Sequence, residues 1–169
     1  PWYGTVGRDT FISLPGIVLE QKHKEDCLDV LDTMVAQMHD GDFAGNASAW
    51  VAADAPLWFF WTLQNLEKHI SAKALWERYG AAMKSILEAY RRGFGEKVKL
   101  HDNGLVWAAA EGECLTWMNT IVDGKPVAQR AGYAVEIQAL WYNAVSYTLA
   151  LARKYKDKAF VEAWAAEPA

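Results

Sequence analysis

Apolar residues recur at helical spacing along most of this chain, but the width of the apolar stripe changes from one stretch to the next. Residues 10–21 read as a first helix with Asp9 as its N-cap, and Pro15-Gly16 inside the apolar run should kink or split it. Cys27/Leu28, Leu31, Met34/Val35 and Met38 then mark one face of an amphipathic outer helix, with Glu25, Asp26, Asp29 and Asp32 opposite. His39-Asp40-Gly41-Asp42 ends it in a turn. After a loop over residues 43–53 that carries Asn46, Ser48 and Trp50, Asp54 caps the next helix and Pro56 sits in its first turn. Residues 57–61 are apolar on every side, so that helix is expected to be buried all round. Residues 71–92 carry a single stripe of Leu75, Tyr79, Met83, Ile86/Leu87 and Tyr90. A buried helix tightly linked to an amphipathic one is an αα-hairpin, and hairpins of that kind, repeated, build a helical toroid.

Between residues 93 and 134 the helical period is lost. His101-Asp102-Asn103-Gly104 has turn chemistry before a strand-like run ending in Trp107, and Asp123-Gly124-Lys125-Pro126 predicts a turn whose second arm would be residues 127–131. Within this region Leu115-Thr116-Trp117-Met118-Asn119 alternates polar and aromatic residues, and Arg130 and Glu136 follow a short distance on. Such residues held between Gly/Pro turns and ahead of an apolar helix read as the floor of a pocket. Aromatic faces cover the apolar faces of a pyranose while carboxylates, amides and Arg bond its hydroxyls, so this is carbohydrate chemistry. Arg8-Asp9, flanked by Trp2 and Tyr3, offers a second fork of donors and acceptors for sugar hydroxyls. From Val135 a helix carries Ile137, Leu140/Trp141, Ala144/Val145, Thr148/Leu149 and Ala152 and ends near Tyr155. Residues 158–166 start another.

Composition narrows the partners. The 169 residues fit one domain, and 52% hydrophobic residues with nine Trp against 22% charged leave apolar surface for a site or interface. A net charge of −4 and a pI near 5.6 argue against nucleic acid or an anionic membrane and favour a neutral substrate. Cys27 and Cys114 form neither a metal motif nor a disulfide framework, and His23 and His39 lack partners at ligand spacing, so no metal or other cofactor is expected and a cytoplasmic setting is. The longest apolar run, residues 55–63, contains Pro56 and is too short to span a bilayer. The start, Pro1-Trp2-Tyr3-Gly4, lacks an initiator Met and opens on motif-like residues, as an excised piece of a larger protein would.

Four blocks now stand in order. They are Gly7-Arg8-Asp9-Thr10-Phe11-Ile12-Ser13-Leu14-Pro15-Gly16, Asp54-Ala55-Pro56-Leu57-Trp58-Phe59, Leu115-Thr116-Trp117-Met118, and Arg130 with Ala134-Val135-Glu136-Ile137-Gln138-Ala139-Leu140-Trp141-Tyr142-Asn143. Together they resemble the glucosidase domain of glycogen debranching enzymes, over nearly the whole chain. The resemblance implies an all-α, (α/α)6 toroid, of which this chain codes for about half and to which the remainder of the toroid would be a partner. It also implies hydrolysis, with inversion, of α-1,6-linked glucose at the branch points of glycogen or a branched α-glucan. By the same resemblance Arg8 and Asp9 would hold the non-reducing glucose. Asp54, Trp117, Arg130, Glu136 and Gln138 would line its pocket, and Trp107 is placed with them as substrate-binding.

Position 119 departs from the family. There the block continues Trp-Met-Asp and the Asp is taken as the general acid, whereas this chain has Asn119, whose amide has no proton to give. An inverting glycosidase also needs a second carboxylate about 6.5–9.5 Å from the acid to activate water, and in the family it lies beyond the last block seen here. The chain alone is therefore expected to be inactive. Glu136, set among Tyr133, Val135 and Ile137, is a hydroxyl-binding carboxylate first and a substitute acid second, its pKa raised by burial unless Arg130 or sugar hydroxyls compensate. The alternative is a catalytically inactive glucan-binding or regulatory relative.

Overall fold

The computed structural model describes residues 6–43, 52–94 and 96–167, so Trp2, Tyr3, Asn46, Ser48 and Trp50 lie outside the described residues. The fold is all-α with two short hairpins. Helices α1 (Gly7–Leu14), α2 (Lys24–Ala36), α3 (Ala55–Leu66) and α4 (Ala72–Arg92) come first. Strands β1 (Val98–Leu100), β2 (Val106–Ala108), β3 (Ile121–Val122) and β4 (Lys125–Pro126) follow, then α5 (Val135–Lys154) and α6 (Lys158–Trp164). β1 pairs antiparallel with β2, and β3 with β4. The second hairpin is tighter than expected. Asp123 and Gly124 both have positive φ (49° and 74°), which closes the turn in two residues and makes Lys125–Pro126, not residues 127–131, the returning arm.

Helix α1 starts two residues before the expected cap. Val6 occupies the N-cap without a side-chain bond, and Asp9 is instead an exposed acid in the first turn, where it complements the helix dipole. The proline does split the helix. Lacking an N–H, Pro15 ends the α ladder and the chain winds on as a π-helical stretch, Pro15–Leu19, with Glu20 N donating to Pro15 O at 3.0 Å. The carbonyl that Pro15 cannot satisfy, four residues back at Phe11, is taken by the Thr62 hydroxyl of α3 at 2.6 Å. One missing donor in α1 thus becomes a fully buried cross-link to α3.

Helix α3 lies between α1 and α5. Leu57, Phe59, Phe60, Leu63 and Leu66 are wholly buried, yet Trp58 and Trp61 are only partly covered, packed edge to face 5.7 Å apart. Burial on every side was expected, and one Trp-lined edge escapes it. Towards α5, Gln64 and Asn143 exchange side-chain hydrogen bonds of 2.9 and 3.1 Å, which fixes the register of the two helices. The expected stripe of α4, Leu75, Tyr79, Met83, Ile86, Leu87 and Tyr90, is buried throughout. Ser71 caps that helix by accepting from Ala74 N at 3.1 Å. Gly41, in the turn after α2, has φ 81°, and a Cβ there would lie 2.6 Å from the Ala89 Cβ of α4. Only glycine lets that turn seat on α4.

The Thr62 cross-link has a measurable worth. Thr62→Val keeps the shape and removes the donor to Phe11 O, and should cost about 1–3 kcal/mol in denaturant unfolding with an unchanged m-value. Adding Pro15→Ala restores a backbone donor for the same carbonyl, so the double variant should recover part of the loss. Strictly additive losses would mean that Thr62 and Pro15 are not coupled through Phe11.

Candidate functional site

Three helix N-termini converge on the irregular segment that precedes α5. Arg8, in the first turn of α1, donates from Nε to Asp54 Oδ2 at 2.7 Å and from Nη2 to Asp54 Oδ1 at 2.8 Å, and both residues are buried. Asp54 holds the N-cap position of α3 as expected, but its carboxylate caps nothing. Leu57 N and Trp58 N take its backbone carbonyl instead, at 3.0 and 3.1 Å, which leaves the carboxylate for Arg8. Next to it, Ala53 N donates to Leu115 O at 2.8 Å and Ala53 O accepts from the Tyr90 hydroxyl at 2.7 Å. The Leu115–Asn119 loop is thereby tied to the start of α3.

The loop then reaches α5. Arg130 Nε donates to Glu136 Oε1 at 2.7 Å and Nη2 donates to Oε2, a bidentate pair that is only partly buried. Burial pushes the Glu136 carboxyl up. The Arg130 hydrogen bonds, its own backbone N–H, the Arg130 charge and the Trp117 indole N–H outweigh that, so it sits below its ordinary 4.5. Compensation by Arg130, left open by the sequence, is what the geometry contains. A carboxylate so held is ionised at neutral pH and accepts hydrogen bonds, which is not the state of a proton donor. Trp117 presents 54% of its surface to solvent beside this pair, and Asn119 is exposed.

Two residues placed in the pocket by the sequence have other duties. Gln138 Oε1 accepts from Val106 N at 2.9 Å while its Nε2 donates to Val106 O at 2.9 Å and Ala134 O at 3.1 Å, so its amide clips β2 to α5. Asp54 likewise faces Arg8 and not open space. Trp107 is packed within an aromatic group. Its ring lies parallel to His101 at 6.0 Å and edge to face with Tyr133 at 5.2 Å, with Gly132 close against it and the Tyr133 hydroxyl 2.6 Å from His101 Nδ1. Neither His101 nor Tyr133 stood out in the sequence as a site residue. Their signal, an aromatic pair flanking a Gly turn, emerges only when the hairpin brings residues 32 apart together.

One further carboxylate lies near the Asp54 end. Burial pushes Asp42 up from 3.8 to about 6, against a lowering by the Phe43 backbone N–H. Its charge and that of Asp54 add to burial in holding the Tyr90 phenol well above its ordinary value. Both cysteines are buried and free, and burial pushes the Cys27 thiol up to about 11, so Cys27 is not a nucleophile at neutral pH. Among the described residues no group of three His, Cys, Asp or Glu is placed to hold a metal, and no helix is long and apolar enough to cross a membrane.

Helix starts and the loop ahead of α5 together bring two Arg–carboxylate pairs and an uncovered Trp117 to one end of a helical domain. The family model described as amylo-alpha-1,6-glucosidase matches residues 1–167, and the chain belongs to that family, that of a glycogen debranching-type domain. No curated protein and no solved structure matches it.

Two titrations check the electrostatics. The folded Asp42 carboxyl binds its proton more tightly than the unfolded one, so its stabilisation is complete below pH 4 and is lost as pH rises through about 6. Asp42→Asn should remove that decline and leave the variant more stable at pH 7 by about 2 kcal/mol in thermal or urea unfolding. For Glu136 the direction is opposite. Arg130→Met removes the two contributions from Arg130 that offset burial, and the side-chain carboxyl resonance of Glu136 should then titrate at higher pH. An unmoved midpoint would show that Arg130 does not set its charge state.

Proposed function

We propose that this chain forms part of an (α/α)6 toroid that binds the terminal glucose of a branched α-glucan, in a glycogen debranching-type glucosidase hydrolysing α-1,6-linked glucose with inversion. The observation that carries the reading is the convergence of three groups: Arg8 bonded to Asp54, the Leu115–Asn119 loop bonded to Ala53 next to it, and Arg130 bonded to Glu136 beside Trp117. Arg8 and the exposed Asp9 offer donors and acceptors to sugar hydroxyls, Trp117 a stacking face, and the ionised Glu136 an acceptor. Asp54 acts through Arg8, orienting its guanidinium, and Gln138 acts through β2, holding Trp107 in place. Hydrolysis of this kind uses two carboxyl groups and water, with no cofactor. The water-activating carboxylate would come from the remainder of the toroid, which leaves this chain alone inactive. Reduced, buried thiols fit a cytoplasmic setting.

Asn119 favours a second reading, an inactive glucan-binding or regulatory relative, because an amide at the general-acid position cannot protonate a leaving oxygen. One substitution separates the two. In the full-length protein, Asn119→Asp should raise glucose release from a branched dextrin by about 10²–10⁴-fold, the usual worth of general-acid assistance. The gain should appear on the acid side of neutrality, since position 119 is exposed in this chain and burial alone would not keep an Asp there protonated at pH 7. Binding of the dextrin without glucose release in either form would support the inactive relative.

A further inference from the structure

His101 of the aromatic group also lines a cavity of about 490 Å³, together with Arg91, Asp102, Asn103, Gly104 and Glu167, and none of Arg8, Asp54, Trp117, Arg130 or Glu136 lines it. Its polar groups are held in place. The Arg91 guanidinium lies 3.5 Å from the centre of the Trp164 ring and donates to Glu167 Oε1 at 3.0 Å and Ala163 O at 3.1 Å. His101 is fixed by the Tyr133 hydroxyl at Nδ1 and by the parallel Trp107 ring, so Nε2 is the ring nitrogen left for a ligand. Asn103 Oδ1 accepts from Leu105 N at 3.0 Å, which sets the turn carrying Asp102, and both residues are exposed.

The balance of charge selects the ligand class. Arg91 is spent on Glu167 and Glu88, at 3.0 and 3.6 Å. The lining therefore opposes an anion such as a phosphate. Among the described residues no three His, Cys, Asp or Glu are placed to hold a metal ion either. What remains is a neutral molecule with many hydroxyls, donating to the carboxylates and accepting from Arg91 and Asn103. The volume falls in the range of small-ligand sites and admits more than one hexose ring. We propose that this cavity is a second carbohydrate site that holds a linear stretch of α-glucan chain and shares no lining residue with the glucosidase site. The inference rests on the glucan reading given above. In a branched polymer such a site would grip a neighbouring chain while a branch end occupies the first.

The test titrates the full-length protein with maltohexaose for this cavity and isomaltose for the glucosidase site, following heat and the His101 ring proton signals by NMR. Maltohexaose should shift the His101 signals, inorganic phosphate should not, and Asp102→Ala should weaken maltohexaose about tenfold through loss of charged hydrogen bonds. Isomaltose affinity should stay the same in that variant, whose exposed position makes an unchanged melt the expected control. Loss of the cavity site alone would show as isomaltose still binding while maltohexaose leaves His101 unmoved or ignores Asp102→Ala. A His101 shift with phosphate would make this an anion site and overturn the proposal. Failure of both sugars to bind the unaltered protein would remove the glucan reading and this site with it.

Discussion

The Arg8–Asp54 ion pair is the contact on which the site end of the molecule depends. It joins residues 46 apart in sequence, buried on both sides, and moving two charges out of water is costly unless each is fully bonded. The bidentate geometry satisfies both Asp54 oxygens and two of the guanidinium's donors, leaving the rest of its N–H groups to other partners. Its side effect is structural: with the Asp54 carboxylate committed to Arg8, the first turn of α3 must be capped by a backbone carbonyl. The peptide before it is then free to receive Leu115 and Tyr90. One pair of charges therefore sets the angle between α1 and α3 and the landing point of the Leu115–Asn119 loop.

The second charged pair, Arg130–Glu136, differs in its exposure and so in its use. Only six residues separate its members, solvent reaches both, and an uncovered Trp117 stands beside it. A buried pair locks elements together, whereas a half-open one can exchange partners with a ligand at modest cost. The two pairs thus divide the labour, one holding the frame and the other facing outward.

Much of this was legible in the sequence because it follows periodicity. The stripe of α4, the split at Pro15 and the helix beginning at Val135 all follow from local rules. What was not legible depends on partners distant along the chain. Asp54 looked like a capping residue or a sugar ligand until Arg8 claimed it, Gln138 looked like a ligand until Val106 did, and nothing in residues 57–61 tells that two of their tryptophans keep an open edge. Asp9 illustrates the opposite error, a good capping residue displaced because α1 begins earlier. Family resemblance groups Asp54 and Gln138 with Trp117, yet it does not tell that the first two are bonded within the protein while Trp117 stands open to solvent.

Gln138 has a mechanical meaning. Its carboxamide offers β2 one donor and one acceptor at nearly equal distances, which is what a neighbouring strand's peptide unit would offer, so a helix side chain stands in for an extra strand. With Ala108 and Gly132 bonded to each other in both directions close by, the β1–β2 hairpin is fastened to the start of α5 at two points. Two fastenings make a lever and not a hinge. Any tilt of the helix end that carries Glu136 is then delivered, undamped, to Trp107 and His101.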